Sequence, residues 1–290
     1  FADVRDYEAL KNFVETHRPS AIIHMAAQPL VIKSYEDPRE TFEVNVMGTV
    51  NLLDIALKFD FVKAVLVVTT DKVYRNDNSA RSFIESDPLE GKDPYSASKV
   101  ATESVVSAWQ QISDISNGPN IASVRAGNVI GGGDYAENRI IPDLIRGVLY
   151  GKATNIRNPR STRPWQHVLD PLNGYLTIGA NLMDSKKISS AFNFGPGEAS
   201  KLTVKEMADF ACSQWPQSLG IEIQVDPSAV LESGLLWLSS DLATKELGWR
   251  NRFEAQEAIG WTIEWEKESM SSTPLSALDQ QINGFFGAKL

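Results

Sequence analysis

In Tyr95-Ser96-Ala97-Ser98-Lys99 a phenol and an ammonium stand four residues apart, which puts them on one face of a helix. A neighbouring ammonium favours the phenolate and lowers the tyrosine pKa, as a tyrosine base near neutral pH requires. Taken alone, the spacing is equally that of an ordinary surface pair. Thr69-Thr70-Asp71-Lys72-Val73-Tyr74 adds a hydroxyl that can hydrogen-bond an alcohol under oxidation and a carboxyl that can deliver a proton. Thr-Asp after a strand also opens ordinary turns. Arg163 and His167 fall in the connection Thr162-Arg163-Pro164-Trp165-Gln166-His167-Val168. That arginine either clamps a diphosphate with its two-pronged guanidinium or lies at the surface near Asp170.

Three further segments qualify the picture. His24-Met25-Ala26-Ala27 ends an apolar run with the small residues that a close-lying cofactor needs, and His24 itself reads as a hydrogen-bonded core histidine. Asn45 sits inside a helical pattern, where an amide is unfavourable unless it holds a neighbouring strand or loop. Gly131-Gly132-Gly133 lacks the Gly-x-Gly-x-x-Gly spacing of a phosphate-binding turn and reads as a flexible loop leading to Asp134.

The elements that must position these groups alternate as β-α-β-α-β over the first 130 residues, the pattern of a parallel sheet with crossover helices. A helix is expected from Tyr7 to His17, with Pro19 stopping it. Ala21 to Met25 is an apolar run suited to a strand buried on both faces. A long helix from Thr41 to Phe59 follows, then the β-branched strand Val62 to Val68, a helix from Tyr95 to Ile112, and a strand from Ile121 to Val124. Past residue 130 shorter helices are expected at about 138–150, 170–183, 203–214 and 254–267, with strand-like runs at Phe192–Phe194 and Ile221–Val225. The tail after Ser269 is either packed or frayed. The candidate site loops Ala26-Ala27, Thr69–Lys72 and Gly127–Gly133 all lie just past strand ends, where open α/β sheets bind ligands.

Composition narrows the function classes. The 290 residues are 42% hydrophobic and 22% charged, values of a soluble globular protein rather than a disordered or fibrous one. A balance of 37 acidic to 28 basic residues, net charge -9, argues against nucleic acid as a partner, which demands clustered cation. No apolar run approaches the roughly 20 residues that span a bilayer, so no membrane partner is expected. One cysteine, Cys212, and three histidines allow no internal disulfide and no Cys/His zinc site. No metal is expected, and the cytoplasm is the expected compartment.

In order along the chain, Asp3-Val4, His24-Met25-Ala26-Ala27, Thr70, Tyr95-x-x-x-Lys99 and Arg163-x-Trp165 resemble the extended short-chain dehydrogenase/reductases that act on nucleotide sugars. Ala26–Val31, Ser34-Tyr35, Asn45–Thr49, Thr70–Tyr74, Ala126–Asp134 and Arg163–Val168 resemble the 4,6-dehydratases among them, in particular the branch acting on CDP-glucose. Thr70-Asp71-Lys72 is the most diagnostic string, since the dTDP-glucose branch usually carries Thr-Asp-Glu. The resemblance implies a Rossmann-like doubly wound α/β fold, with a dinucleotide-binding domain over 1–130. A smaller α+β substrate-binding lobe over 131–290 is partly interleaved with it.

It also implies NAD as cofactor, a nucleotide-sugar substrate, and a homodimer packed through the helices at about 41–59 and 95–112. Tyr95 would take the C4 hydroxyl proton as hydride leaves for NAD+, Thr70 would bind that hydroxyl, and Lys99 would hold the ribose and lower the Tyr95 pKa. Asp71 would protonate the departing C6 hydroxyl, and Lys72 would act at C5 as base or electrostatic support. Asp3, Val4, Ala26, Ala27, Gln28, Asn45 and Thr69 would line the cofactor, while Asn128, Arg139 and Arg163 would hold the substrate diphosphate.

The chain opens on Phe1-Ala2-Asp3-Val4 without an initiator Met, so the family's first strand and Gly-rich turn are expected to precede it. That truncation would weaken cofactor binding and folding. Alternatives are a dTDP-glucose-type dehydratase, a nucleotide-sugar 4-epimerase (against which Asp71-Lys72 argues) and a catalytically silent dinucleotide-binding scaffold.

Overall fold

The structure is a computed structural model that describes residues 2–76, 81–137, 139–156, 158–215, 220–223 and 236–287. In chain order the first part comprises α1 (Tyr7–His17), β1 (Ala21–His24), α2 (Val31–Glu36), α3 (Pro38–Phe42), a π-helical turn at Glu43–Met47, α4 (Gly48–Lys58), β2 (Ala64–Val68), α5 (Pro94–Ser116) and β3 (Asn120–Ala126). The second part runs β4 (Val129–Ile130), α6 (Ile140–Tyr150), β5 (Thr154–Ile156), β6 (Thr162–Pro164), β7 (Gln166–His167), α7 (Leu169–Met183) and β8 (Ala191–Phe194). It continues through β9 (Lys201–Thr203), α8 (Val204–Ser213), β10 (Ile221–Ile223), α9 (Asp241–Leu247), α10 (Ala255–Ser271) and α11 (Pro274–Phe286).

The main sheet among the described residues has the order β1-β2-β3-β8, all parallel. Successive side chains of a strand face opposite sides, and β2 shows the result. Val65 and Val67 pack with Val14, Leu52, Leu53, Ile55 and Val106 of α1, α4 and α5. Ala64 and Leu66 pack on the other face with Tyr175, Ile178 and Leu182 of α7 and with Phe192 and Phe194 of β8. Burying each such aliphatic side chain contributes about 1.5–3 kcal/mol, so a strand without polar alternation is stable only between two helical layers. A separate core joins Ile141, Leu144 and Ile145 of α6, Met207 of α8 and Ile259 and Ile263 of α10. The doubly wound α/β expectation holds.

Local chemistry sets the element ends. Asp6 accepts a hydrogen bond from Ala9 N to start α1, and Arg18, in the left-handed region at φ 46°, ends it before Pro19. Asp93 and Ser96 form a reciprocal capping box around Pro94 at the start of α5, which satisfies free helical N–H groups. The helix expected over Thr41–Phe59 is instead split into α3, the π-helical turn and α4. The turn centres on Asn45, where the amide adopts side-chain bonds to other segments. Phe192–Phe194, expected beside the second lobe's strands, joins the main sheet as β8, and the tail packs as α11 with Phe285 buried. Of the expected run Ile221–Val225, residues 224 and 225 lie outside the described residues. No helix among the described residues is long and apolar enough to cross a membrane.

Gly91 fixes where α5 begins. A Cβ there would lie 2.2 Å from Ala97 N and 2.4 Å from its Cα, so the chain passes the helix's first turn with no room for a methyl group. Gly91→Ala should therefore displace that turn at a cost of about 1–3 kcal/mol. Thermal unfolding should show a fall in Tm of roughly 2–8 °C; an unchanged Tm would mean that the contact relaxes freely.

Candidate active site

Three loops leave the carboxyl ends of β1, β2 and β3 together: 25–30, Thr69–Lys72 and Gly127–Gly133. Against them lies the first part of α5, which carries Tyr95 and Lys99. Their convergence is built from hydrogen bonds. Asn45, released from the regular helical ladder by the π-helical turn, accepts from Gln28 N at 2.8 Å. It donates to Gln28 O at 3.1 Å and to Ser98 Oγ at 2.9 Å. The Asn45 carbonyl accepts from both Thr49 Oγ1 and Thr102 Oγ1. One buried amide thus ties the loop after β1 to α5 between Tyr95 and Lys99. Ser34 of α2 adds a tie, accepting from Tyr95 N at 3.1 Å.

At the centre, the Thr70 side chain lies close enough to the Tyr95 phenol to pull its pKa down, and Thr70 Oγ1 donates to Asp71 Oδ1 at 3.1 Å. All three residues are buried. Asp71 opens a short 3₁₀ turn, Asp71–Val73, capped by Thr70. Its carboxylate occupies the space that a side chain at residue 127 would need: a Cβ on Gly127 would fall 1.8 Å from Asp71 Oδ2. Lys72 is half-buried beside it. Lys99 Nζ donates to Val68 O at 3.1 Å.

The electrostatics follow burial. Desolvation pushes the Asp71 carboxyl above its usual range, against the pull of Lys72, the Thr70 hydrogen bond and Arg163. The Lys99 ammonium is lowered to about 8 by burial, with Glu103 opposing. The Tyr95 phenol is raised to about 12, chiefly by burial; Thr70 and Arg139 work against that rise, and Asp71 and Asp93 add to it. This corrects the expectation that Lys99 depresses the phenol. In this structure the ammonium turns to the Val68 carbonyl, and desolvation of the phenolate dominates. His24 is buried, bonded to Thr49 Oγ1 at 3.1 Å and lowered to about 4 by burial and then by Lys99, a core role as expected.

The remaining sequence candidates divide. Ala26 is exposed and Ala27 half-buried past β1. Gln28 is buried, with its side-chain amide bonded to Leu30 O and Thr41 Oγ1, so that amide works within the protein. Thr69 Oγ1 points inward to Glu103 at 2.5 Å. Asp3 lies apart from the Tyr95 cluster, exposed and ion-paired with Arg5 at 2.6 Å, which holds its carboxyl at about 2. Val4 packs against Gly48. Asn128 adopts the left-handed region at φ 45° just past β3. Arg139 pairs with Asp134 at 3.0 Å and still acts on Tyr95, while Arg163 acts on Asp71 rather than on Asp170. Asp170 instead accepts from the backbone N–H groups of Arg252 and Phe253.

The triple glycine is not a loose connector. A Cβ on Gly132 would fall 2.1 Å from the Trp265 ring, and Gly133 N donates to Glu266 Oε1 at 2.8 Å. The close approach of α10 therefore requires glycine. Sequence reasoning missed the buried network of Glu103, Arg125 and Tyr74 behind the site. Its signals were an arginine inside the apolar strand Asn120–Ala126 and a glutamate one turn past Lys99.

Comparison with known proteins accords with this geometry. A family model described as GDP-mannose 4,6 dehydratase matches residues 1–262. A CDP-glucose 4,6-dehydratase of Salmonella typhimurium is 40% identical over 273 residues, covering 91% of this chain and 75% of that protein. The crystal structure of a UDP-glucose 4-epimerase of Thermotoga maritima superposes with a TM-score of 0.80 at 20% identity, covering 93% of this chain and 84% of that one; it shows the shared fold. A dTDP-glucose 4,6-dehydratase of Streptomyces venezuelae, solved with NAD bound, superposes at 0.79 with 25% identity, covering 93% and 79%. With its sheet, its three strand-end loops and 262 residues aligned to that model, the chain belongs to the GDP-mannose 4,6-dehydratase family of nucleotide-sugar enzymes.

Proposed function

We propose that the protein is a nucleotide-sugar 4,6-dehydratase that converts CDP-D-glucose to CDP-4-keto-6-deoxy-D-glucose with NAD+. The observation that carries this reading is the buried chain Tyr95–Thr70–Asp71. It sets a base, an alcohol-binding hydroxyl and a carboxyl shifted toward its acid form by burial side by side. The CDP-glucose dehydratase relative supports the base preference, as does Lys72 after Asp71. An epimerase has no leaving hydroxyl to protonate, so a carboxyl whose pKa burial pushes up beside Thr70 favours the dehydratase.

The residues present fit a nicotinamide dinucleotide. Among the described residues Lys99 uses one N–H on Val68 O, leaving donors for ribose hydroxyls, and Ala26 and Ala27 present only methyl groups past β1. When bound, the cofactor would supply a hydride acceptor for C4 of the sugar and, once reduced, a hydride donor for C6. Tyr95 takes the C4 hydroxyl proton while Thr70 holds the oxygen. The new ketone acidifies C5; Lys72, beside Asp71, acts there either as a neutral amine that takes the C5 proton or as an ammonium that stabilises the enolate, and Asp71 gives its proton to the C6 hydroxyl as water leaves. Asn128, Arg139 and Arg163 hold the diphosphate, the two guanidiniums being close enough to act on Tyr95 and Asp71. Asp3, Val4, Gln28, Asn45 and Thr69 border the cofactor, Gln28 and Asn45 by fixing the loop. Residues 1–130 serve the cofactor and 131–290 mainly the sugar nucleotide.

The enzyme works in the reducing cytoplasm, consistent with its lone thiol, Cys212. It pairs as a homodimer through α3–α5, supported by the exposed Phe42, Met47, Ile112 and Ile115 on those helices.

Incubating the full-length protein with NAD+ and either CDP-glucose or dTDP-glucose should yield the 4-keto-6-deoxy product from the CDP sugar. Product from neither would revive a silent scaffold. Tyr95→Phe should lower kcat by about 10²–10⁴. Lys72→Met should abolish exchange of the C5 proton with solvent, and unchanged exchange would remove Lys72 from that step. Sedimentation equilibrium should report twice the chain mass; a monomer would refute the pairing.

Asp71 also yields a stability prediction. Its native pKa lies above its unfolded value, so as pH rises past about 3.9 the unfolded carboxyl ionises first and the wild type loses stability. Asp71→Asn escapes that loss. The Tm of Asp71→Asn relative to wild type should rise from pH 4 to pH 7; a difference that falls over that range would contradict a carboxyl pKa raised by burial.

A further inference from the structure

Behind the catalytic cluster lies an ion pair that the chemistry above does not use. Glu103 sits one turn past Lys99 on α5, and Arg125 stands within β3; the two side chains are 6% and 5% exposed. The carboxylate is fully engaged. Oε1 accepts from Thr69 Oγ1 at 2.5 Å and Arg125 Nε at 2.9 Å, and Oε2 from Ser123 Oγ at 2.8 Å and Arg125 Nη2 at 2.9 Å. The guanidinium reaches further, with Nη1 donating to Tyr74 OH at 2.8 Å and Glu85 O at 3.0 Å. Tyr74 OH in turn donates to Asn193 Oδ1 of β8 at 2.7 Å.

Hydrocarbon of equal volume would hold α5 against the sheet at least as strongly, because desolvating two charges offsets much of their attraction. What a two-pronged guanidinium and a four-times-bonded carboxylate add is direction: each bond weakens steeply when its angle or length drifts. The bonds run to the places that direction matters most. Thr69 precedes Thr70 and Asp71, Ser123 and Arg125 lead into the Gly127 loop, and Glu103 shares a helix face with Lys99.

We propose that Glu103 and Arg125 are positioning residues for the reaction, locking the helix that bears Tyr95 and Lys99 in register with the strand ends that bear Thr70, Asp71 and Gly127. The proposal rests on the assignment of Tyr95 as the base. Neither residue touches the sugar or the cofactor in it.

Glu103→Gln alone strands a buried guanidinium, and its main effect is on folding. The informative variant is Glu103→Gln with Arg125→Met, which removes both charges and should melt close to wild type. Per folded molecule, kcat with CDP-glucose and NAD+ should fall by about 100-fold, the effect of an ångström-scale misplacement, while KM stays within about threefold of wild type. A merely structural pair predicts that kcat recovers together with stability, and that recovery would overturn the proposal. Should the double variant not fold, Ser123→Ala removes a single donor to Glu103. It should lower kcat by about threefold or more with KM unchanged, and wild-type kcat there would overturn the proposal equally. Tyr95→Phe measured in parallel separates the two failures: if it turns over normally, the assignment of the base is wrong. If it is inactive while the double variant is fully active, only the positioning proposal fails.

Discussion

A charge taken out of water must be given partners, and in this molecule that requirement shapes the site. Lys99 and Asp71 lie in the interior within one cluster of loops, and burial works against the charge of each. The arrangement that tolerates them is a helix end and two strand ends joined by side-chain hydrogen bonds rather than by apolar contact alone. Asn45, Ser98, Thr69 and Glu103 supply those bonds. The apolar layers on either side of β2 hold the frame, and the polar seam within it sets the aim of the reactive groups.

The same desolvation gives neighbouring groups different tasks. A carboxyl whose ionised form is disfavoured is suited to give a proton. A phenol held neutral must have its proton drawn off when positive charge and substrate arrive. Thr70 lies between them as a hydroxyl able to bond both. One physical cause, exclusion of water, therefore prepares an acid and a latent base on either side of one threonine hydroxyl.

Much of this was legible in the chain itself. The β-branched run expected over Val62–Val68, the helix expected from Tyr95 and the Tyr95/Lys99 spacing depend on local pattern, and each appears within a residue or two of where periodicity puts it. The polar residues past strand ends did converge. What stayed hidden depends on through-space partners. The π-helical turn could not be read because Asn45 is a poor helix residue by propensity and is retained for bonds to Gln28 and Ser98, 17 and 53 residues away. The direction of the Tyr95 shift was misread because spacing reveals proximity along a helix but not which way an ammonium turns or how dry the phenol is. The Gly131–Gly133 run read as a flexible loop because nothing local announces that an indole from α10 fills the space beside it. Short strands such as Thr154–Ile156 carry too few residues to show a period.

The widened turn at Glu43–Met47 also constrains how this chain can vary in length. It holds one more residue per turn than the helix on either side, and each residue advances a helix by about 100°. Deleting a single position there would restore the regular ladder and swing the Asn45 amide around to another side of the rod, away from both Gln28 and Ser98. The number of residues in that segment therefore matters beyond their types, because the surplus residue is what faces the amide toward the two segments it joins.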